Sequence, residues 1–394
     1  MPRSQGGDTS SLQDQRDQVL DELAGLIDID TIERASGAVD VYVGSTPMVL
    51  AGQSRGVQLQ RVSVDGRLSL ALRVRADGSV LPIGSGQIGA LMEAHGKDAT
   101  EAIEQLDRLA AELIYQTNAI HATATGPDGL AEATSQLRMP PEDRSLALNA
   151  PTNPTMADLP FEIRNGSFLV HVTDPATGTS HATRIRVDLD GLGQDGQSTT
   201  LQDASLETIR QALDAVDGLR AEFTPDGRLR VVGENGARFS FSEDSSGLLA
   251  AVGMNAFFEG TNARDIAVRQ DIAQEPSLLR VGRIGADGLF QENAAALDMA
   301  RLQDQDLEAL GGQGFTSFWA TVAGNVGAKV DSARTNAQAS AVVRESIEAQ
   351  RASVSGVSLD EEAVNLITYQ QAYQGAARYI AVVDSLQQEL LSIF

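Results

Sequence analysis

The sequence contains no cysteine, which excludes disulfide bonds, thiolate chemistry and cysteine-ligated metal. Aromatic residues are scarce, with one tryptophan and five tyrosines in 394 residues, so Ala, Val, Leu and Ile must supply most of the packing. A membrane span needs about 18 consecutive apolar residues, and no stretch of the sequence comes close to that length. Residues 1–11 lack the apolar segment of a cleavable secretory signal. Basic residues are outnumbered, and the formal net charge of −24 disfavours binding to phosphate backbones or anionic lipid.

The spacing of apolar residues predicts helices at both ends of the chain and β-rich segments between them. Residues 8–27 place apolar side chains at helical spacing, whereas residues 38–83 alternate as strands do and turn at Asp-Gly pairs. A second helix is predicted over 87–120, loosened at the His-Gly pair 95–96. Proline, glycine, threonine and alanine dominate residues 122–160, which indicates a linker or a domain boundary.

The middle of the chain has the pattern of an inserted β-rich domain. Residues 161–252 alternate as strands around one short helix, predicted near 206–216. After residue 260 the chain passes through loops to an alanine-rich helix over 315–349. Residues 353–356 are predicted to end that helix before a final helix begins.

The final helix, Ser358 to Ile393, has the most regular pattern in the sequence. Ser358 and Glu361 fit a capping box, in which each side chain accepts a hydrogen bond from the backbone amide of the other residue. Apolar residues then recur in steps of three and four, close to the about 3.5-residue repeat of a coiled coil. We call these residues the assembly seam: Leu359, Ala363, Leu366, Tyr369, Tyr373, Ala376, Ile380, Val383, Leu386, Leu390 and Ile393.

A helix about 50 Å long with one apolar face needs a partner, because it is not stable alone in water. Periodicity alone fits two partners equally well: the core of the helix's own domain, or helices of other subunits. The seam runs to the last residues of the sequence without a polar tail, which favours assembly with other helices.

The four histidines give no clear metal or catalytic signal. His171 and His181 flank a predicted hairpin and are placed to face each other across it, but no acidic ligand cluster accompanies them. We expect both to be solvated strand residues. His121 ends the second helix, where a cation favours the helix dipole, so a structural role is expected.

Other motifs that resemble ligand sites are incomplete. Asp188, Asp190 and Asp195 lie around two glycines but lack the bidentate Glu of an EF-hand loop. The segment Gly84-Ser85-Gly86 lacks the Gly-Lys-Ser/Thr that follows in a phosphate-binding loop. No serine has the Gly-x-Ser-x-Gly context of a nucleophile with histidine and aspartate partners. The sequence therefore predicts no catalytic residue, no metal site and no cofactor, in a protein that is not an enzyme.

The segment from Ser353 onward, SVSGVSLDEEAVNLITYQQAYQGAARYIAVVDSLQQELL, resembles the C-terminus of the bacterial flagellar hook-associated protein 1 family. Its core, residues 355–374, is long and specific, whereas hook and rod proteins share only a looser version. Further similar segments follow in family order and cover most of the chain: Leu12–Ile29, residues 84–130, Phe161–Phe241 and Asp244–Val268. Of these, Phe161–Phe241 resembles a β-rich motif that recurs in flagellins and hook-associated proteins.

The resemblance implies an α+β fold in which a discontinuous helical shaft domain with β-hairpins carries an inserted β-rich domain and a C-terminal coiled-coil-type helix. The expected limits are 1–150 for a partial shaft domain and 151–258 for the inserted domain. The return segment and shaft helix are expected over 259–354, and the assembly helix over 355–394.

The function implied by the resemblance is that of a structural adaptor in the bacterial flagellum, joining hook to filament outside the cell after export without a cleavable signal peptide. Expected partners are copies of the same chain, the hook protein, the next junction protein, and the export apparatus with a chaperone. Neither nucleic acid nor a membrane span is expected. Two alternatives stay open: another axial protein such as hook protein, against which residues 360–371 speak, and a secreted binding module or adhesin acting through the inserted domain.

Two departures from the family pattern are visible. The resemblance starts partway along the shaft, so we expect an N-terminally incomplete family member, arising from a fragment, a truncated gene model or a split gene. The absent arm is the one that holds the family's export signal and the helix that pairs with the C-terminal helix. Gly375 lies where the family usually has alanine.

Overall fold

The computed structural model describes residues 10–64, 67–192, 203–285, 287–355 and 359–392. The chain divides into two units, Met1–Val322 and Ala323–Phe394. The first unit combines helices with small antiparallel sheets, and long helices make up the second. The predicted mixed α+β class and the long C-terminal helix are confirmed.

The first unit begins with a helix beside an antiparallel sheet and a hairpin, as the sequence predicts. Helix α1 spans Ser10–Leu26, and the strands of the sheet follow in the order β1-β2-β3-β4. Strands β5 and β6 form a separate hairpin. The strand bounds are β1 Asp30–Glu33, β2 Val39–Val43, β3 Thr46–Leu50, β4 Gln53–Ser54, β5 Val57–Val64 and β6 Arg67–Val74. The end of α1, the sheet and β6 share one core, built around Ile27, Val43, Met48, Val74 and Leu81.

The second predicted helix is present, and it is irregular where the His-Gly pair lies. Helix α2 (Gly86–Glu93) continues through a π-helical turn, Ala94–Asp98, into α3 (Ala99–Ala122). The extra residue of a π-turn shifts the register of the helix face. Side chains of α3 that are buried include Ala110 and Ile114.

The interpretation of residues 122–160 as a linker is wrong over much of this range. Strand β7 (Glu132–Arg138) pairs with a strand of the β-rich domain, and Leu130 and Met139 are buried in its core. The short helix α4 (Pro154–Ala157) is capped by Asn153, whose Oδ1 accepts a hydrogen bond from the Met156 amide at 3.3 Å. The prolines and glycines set the turns here, while single apolar residues between them enter the core.

The β-rich domain is built from two three-stranded sheets around one apolar core. The sheet orders are β10-β11-β7 and β12-β8-β9, all antiparallel. The remaining bounds are β8 Gly166–Thr173, β9 Ser180–Val187, α5 Leu206–Asp214, β10 Leu219–Phe223, β11 Arg228–Gly233, β12 Arg238–Ser242 and α6 Leu248–Ala251. Phe168 and Phe239 each contact Phe241 edge-on, with ring centroids 5.9 and 5.4 Å apart. The predicted short helix is confirmed as α5, which begins with a capping box between Ser205 and Thr208. The predicted limits 151–258 stay a prediction.

The rest of the first unit consists of short elements that lead to the helix α9. They are β13 Phe258–Glu259, β14 Ala267–Val268, α7 Gln270–Gln274, β15 Arg283–Ile284, β16 Phe290–Gln291, α8 Ala294–Arg301 and α9 Phe315–Ser355. The first turns of α9 are anchored, because Phe318 is buried beside Leu307 and Leu310, with Phe315 and Val322 packed against them. The predicted alanine-rich helix is thus confirmed and extends further than expected.

A buried polar cluster ties the end of α3 to the segment that follows the β-rich domain. Asn118 Oδ1 accepts hydrogen bonds from the amides of Phe257 and Phe258, both at 2.9 Å, and its Nδ2 donates to the Phe258 carbonyl. His121 is fully buried; its Nδ1 lies 2.6 Å from the Asn255 carbonyl, and its Nε2 accepts from the Arg280 amide at 3.3 Å. The structural role expected for His121 agrees with this geometry. The expected cation does not, since one ring nitrogen is an acceptor and burial lowers the pKa of His121.

Candidate assembly surface

Helix α10, Leu359–Ser392, covers the described part of the predicted final helix. Its first turn carries Asp360, Glu361 and Glu362, which place negative charge at the positive end of the helix dipole. Glu361 is therefore where the capping box requires it. Ser358, the other half of that cap, lies outside the described residues, and the cap stays a prediction.

The assembly seam lies on α10 with its apolar side chains open to solvent. Leu366 is 60%, Tyr373 78% and Ile380 66% exposed. Tyr369, Val383, Leu386, Ala363 and Ala376 are exposed as well. Leu359 and Leu390 belong to α10, but their side chains and all of Ile393 fall outside the described residues. Within the described part of the second unit, the seam is not covered.

A second apolar side of α10 was not predicted from the sequence. Val364 is 62% and Val382 55% exposed, and Ile367 and Tyr379 are exposed too. Residues two apart on a helix point to nearly opposite sides, so Val364 lies away from Leu366, two positions further along. The same holds for Ile380 and Val382. These residues fall outside the single stripe of 3.5-residue spacing, although their apolar character is visible in the sequence.

Polar side chains next to the apolar residues satisfy their hydrogen bonds within α10. The Thr368 hydroxyl donates to the Val364 carbonyl at 2.8 Å, and the Ser385 hydroxyl donates to the Val382 carbonyl at 2.8 Å. Such bonds let a hydroxyl enter an apolar contact without losing its partner. Other helices can therefore cover both sides of α10 with apolar groups without leaving these two hydroxyls unpaired.

The part of α9 that belongs to the second unit is equally open. All of its described side chains from 323 to 353 are exposed, among them Val342, Val343 and Ile347 at 57 to 66%. Arg344 and Glu348 form one ion pair along its surface at 3.6 Å. In the described residues of the second unit, neither helix buries the side chains of the other.

The histidines and aspartates do not form a metal site in the part of the chain that is described. His171 pairs with Ala182 and His181 with Val172 across strands β8 and β9, so the two imidazoles point to opposite faces of the sheet. The expectation that they face each other is wrong. No cluster of three or more potential metal ligands occurs among the described residues. Of the three predicted turn aspartates, Asp195 lies outside them.

No helix within the described ranges is long and apolar enough to cross a membrane. This finding concerns α9 and α10 above all, since they are the longest helices described.

Two family models match the sequence. The flagellar hook-associated protein FlgK helical domain matches residues 2–134, and the flagellar basal body rod FlgEFG protein C-terminal region matches residues 348–393. The second match contains α10, and the first contains α1 to α3 with the strands between them. The two matches thus lie in different units of the chain.

Curated relatives match over nearly the whole chain. Flagellar hook-associated protein 1 of Salmonella typhimurium and that of Salmonella typhi are each 26% identical over 402 residues, covering 98% of this chain and 65% of the relative. The protein of the same name from Escherichia coli is 22% identical over 397 residues, with the same coverage. The chain therefore spans less than two-thirds of the length of these relatives.

Among solved structures, the flagellar hook junction protein FlgK from Burkholderia pseudomallei aligns with a TM-score of 0.31 and 15% identity, covering 70% of this chain and 45% of that one. The matches to the two family models and to the curated relatives agree with the resemblance found in the C-terminal segment. The chain is similar to the FlgK helical domain over residues 2–134 and to flagellar hook-associated protein 1 over nearly its whole length.

Proposed function

We propose that this chain is a structural component of the bacterial flagellum, resembling the adaptor that joins hook to filament through helical packing between subunits. The observation that carries the proposal is the exposure of apolar side chains on two sides of α10. Burying one Leu, Ile or Val side chain contributes about 1.5–3 kcal/mol. A helix with several such side chains exposed gains most of its stability only when other helices cover it.

Two apolar sides imply more than one neighbouring helix for each α10. A helix with a single apolar seam buries that seam against one partner helix in a two-stranded coiled coil. Val364 and Leu366 need contacts in nearly opposite directions, which a ring or tube of subunits supplies. This arrangement supports copies of the same chain as the first partners.

Charge also favours contact between different helices of neighbouring copies. Residues 323–355 contain four basic and three acidic residues, whereas 359–392 contain one basic and five acidic residues. Two α10 helices side by side repel each other at their acidic first turns. Contact between α10 of one copy and α9 of the next brings opposite net charges together.

The further partners proposed are the hook protein and the next junction protein, with the export apparatus and a chaperone acting before assembly. The proposed location is extracellular, on the flagellum, after export without a cleavable signal. The role is non-enzymatic. The match of α10 to a region named after rod proteins indicates that this helix is shared among axial proteins, whereas the match over 2–134 favours a hook-associated protein over hook or rod protein.

Deletion of the gene, followed by electron microscopy of the cells, tests this function. We expect hooks without filaments in the deletion strain, and filaments again when the gene is restored. A strain carrying an empty vector is the control for the restoration. Filaments of normal length on every hook in the deletion strain would refute the proposal.

A further inference from the structure

A cavity of about 550 Å³ lies beside the β12-β8-β9 sheet, outside the assembly surface. The loop 125–129 and the hairpin β15–β16 form its other walls. The loop is held in place from both sides: the Leu130 amide donates to the Phe239 carbonyl at 2.7 Å, and the Thr125 amide donates to the Gly282 carbonyl at 2.8 Å. Gly129 has φ +73°, and a Cβ there would lie 3.1 Å from Arg238 Cβ, so glycine permits this approach. The volume is typical of small-molecule sites.

The floor of the cavity is a polar sheet face. Strand register places Arg238, Thr173 and Ser180 in one row across the three strands. The next row on the same face contains Ser240 and His171. Side chains directly opposite each other on a sheet lie within about 5 Å at Cβ, so these groups are close enough to bind one small ligand. The other face of the same sheet packs Val172 and Phe239 into the core.

Several polar groups in the cavity have no partner within the described chain. Ser240 is only 4% exposed; its hydroxyl has no hydrogen bond among the described residues, and its oxygen is not sealed from solvent. His171 Nε2 lies 2.8 Å from Ser242 Oγ, which leaves Nδ1 unpaired within the same ranges. Asp128 and Arg238 both line the cavity, and neither has an ion pair in the described part of the structure. Asp128 and Arg238 are exposed to solvent, so together with the Ser240 hydroxyl and His171 Nδ1 they can bind a ligand that supplies both donors and acceptors.

The opposite wall is apolar. Pro127, Ile284, Leu289 and Phe290 line it, and Leu289 is 65% exposed. The cavity therefore combines an apolar surface with a floor of hydroxyl, imidazole and guanidinium groups. The charges in the cavity balance, because the negative charge of Asp128 offsets the positive charge of Arg238. Burial lowers the pKa of His171, and this lower pKa favours the uncharged imidazole.

We propose that this cavity binds a neutral, hydroxyl-rich ring, a monosaccharide or one unit of a glycan. Each sugar hydroxyl both donates and accepts, so it can donate to Asp128 and accept from Arg238 and Ser240. The C–H face of the sugar ring packs against Phe290 and Leu289. Asp128 and Arg238 give the cavity no net charge, which favours a neutral ligand over a free anion or cation. The dissociation constant for a single sugar is expected in the millimolar range, because so small a ligand makes few contacts. This site is independent of assembly through α10.

Saturation-transfer-difference NMR on the full chain tests the proposal, with glucose, galactose, mannose and N-acetylglucosamine as neutral probes and with glucuronate, acetate and glycine as charged ones. We expect at least one neutral sugar to bind more tightly than every charged probe. Arg238→Ala and Ser240→Val each weaken that binding about tenfold or more. Arg186→Ala, which removes an exposed arginine from the same sheet face outside the cavity, leaves it unchanged.

Three outcomes would overturn the proposal. In the first, no neutral sugar gives a signal at tens of millimolar. In the second, a charged probe binds best. In the third, sugar signals are equal in wild type and Arg238→Ala. The thermal unfolding of each variant is measured alongside the titration. Because Arg238 is exposed, Arg238→Ala is expected to unfold at the wild-type temperature. The test therefore stays valid even if Ser240→Val does not fold.

Discussion

At the scale of single residues, buried polar side chains connect parts of the chain that are far apart in sequence. Asn118 and His121 bond to residues more than 130 positions away. The sequence draws attention to His121 only through its position at a helix end. The partners of Asn118 and His121 were not predictable, because the backbone groups they bind are brought near by the folding of the whole β-rich domain.

The stability of this cluster is expected to depend on pH. Burial lowers the pKa of His121 below its ordinary value of 6.5, so below that pH the unfolded chain binds a proton that the folded chain resists. The free energy of unfolding should therefore fall as the pH drops below 6.5. Half-buried His171 adds a contribution of the same sign. Denaturant unfolding of wild type and His121→Asn between pH 7.5 and 5.5 measures the effect.

In His121→Asn we expect the free energy of unfolding at pH 7.5 to be lower than in wild type by about 1–3 kcal/mol, because a buried hydrogen bond is lost. We also expect the free energy of unfolding of this variant to fall less than that of wild type when the pH is lowered. His181→Asn, at an exposed strand position, is the control. The same pH dependence in His121→Asn as in wild type would show that His121 does not carry the effect.

At the scale of elements, local periodicity predicted most helices and hairpins but not their pairing. The positions of α1, α5 and α10 follow from helical spacing, and α5 begins at a capping box; both signals are local. Strand β7 was missed because it has little alternation of its own and is stabilised by pairing with β11, about 90 residues later. The second apolar side of α10 was missed for another reason: a coiled-coil repeat directs attention to one seam, and Val364 and Val382 do not belong to it.

Charge on either side of α10 should prevent assembly without unfolding the chain. Leu366→Asp and Val364→Asp each place a carboxylate where we expect an apolar contact, and burying an unpaired charge there costs several kcal/mol. Asn365→Asp adds the same charge at a polar position between them and is the matched control. We expect the two apolar-site variants to be absent from purified flagella and the control to be present.

The level of each variant inside the cell, and its unfolding temperature, separate an assembly defect from a folding defect. Because Leu366 and Val364 are already exposed in the subunit, both variants should unfold near the wild-type temperature. If Val364→Asp enters flagella normally while Leu366→Asp does not, only the seam is an interface, and the second apolar side is not.

At the scale of the whole molecule, the chain combines a unit with its own cores and a unit whose described side chains are all exposed. The sequence was sufficient to predict the mixed α+β class and the long final helix. It was not sufficient for the two-sheet β-rich domain, or for the cavity beside it, because both depend on which strands pair. A subunit of this kind is expected to be folded over its first unit before assembly and to gain order in the second on contact with neighbours.

The central claim is that the assembly seam of α10 is covered when the protein is in the flagellum. Since the chain contains no cysteine, a single introduced thiol reports on one site. We expect Leu366→Cys to react with a maleimide in the purified protein and to be protected in isolated flagella, whereas Ala176→Cys, at an exposed turn of the β-rich domain, reacts in both. Equal reactivity of Leu366→Cys in the purified protein and in flagella that contain it would contradict the claim.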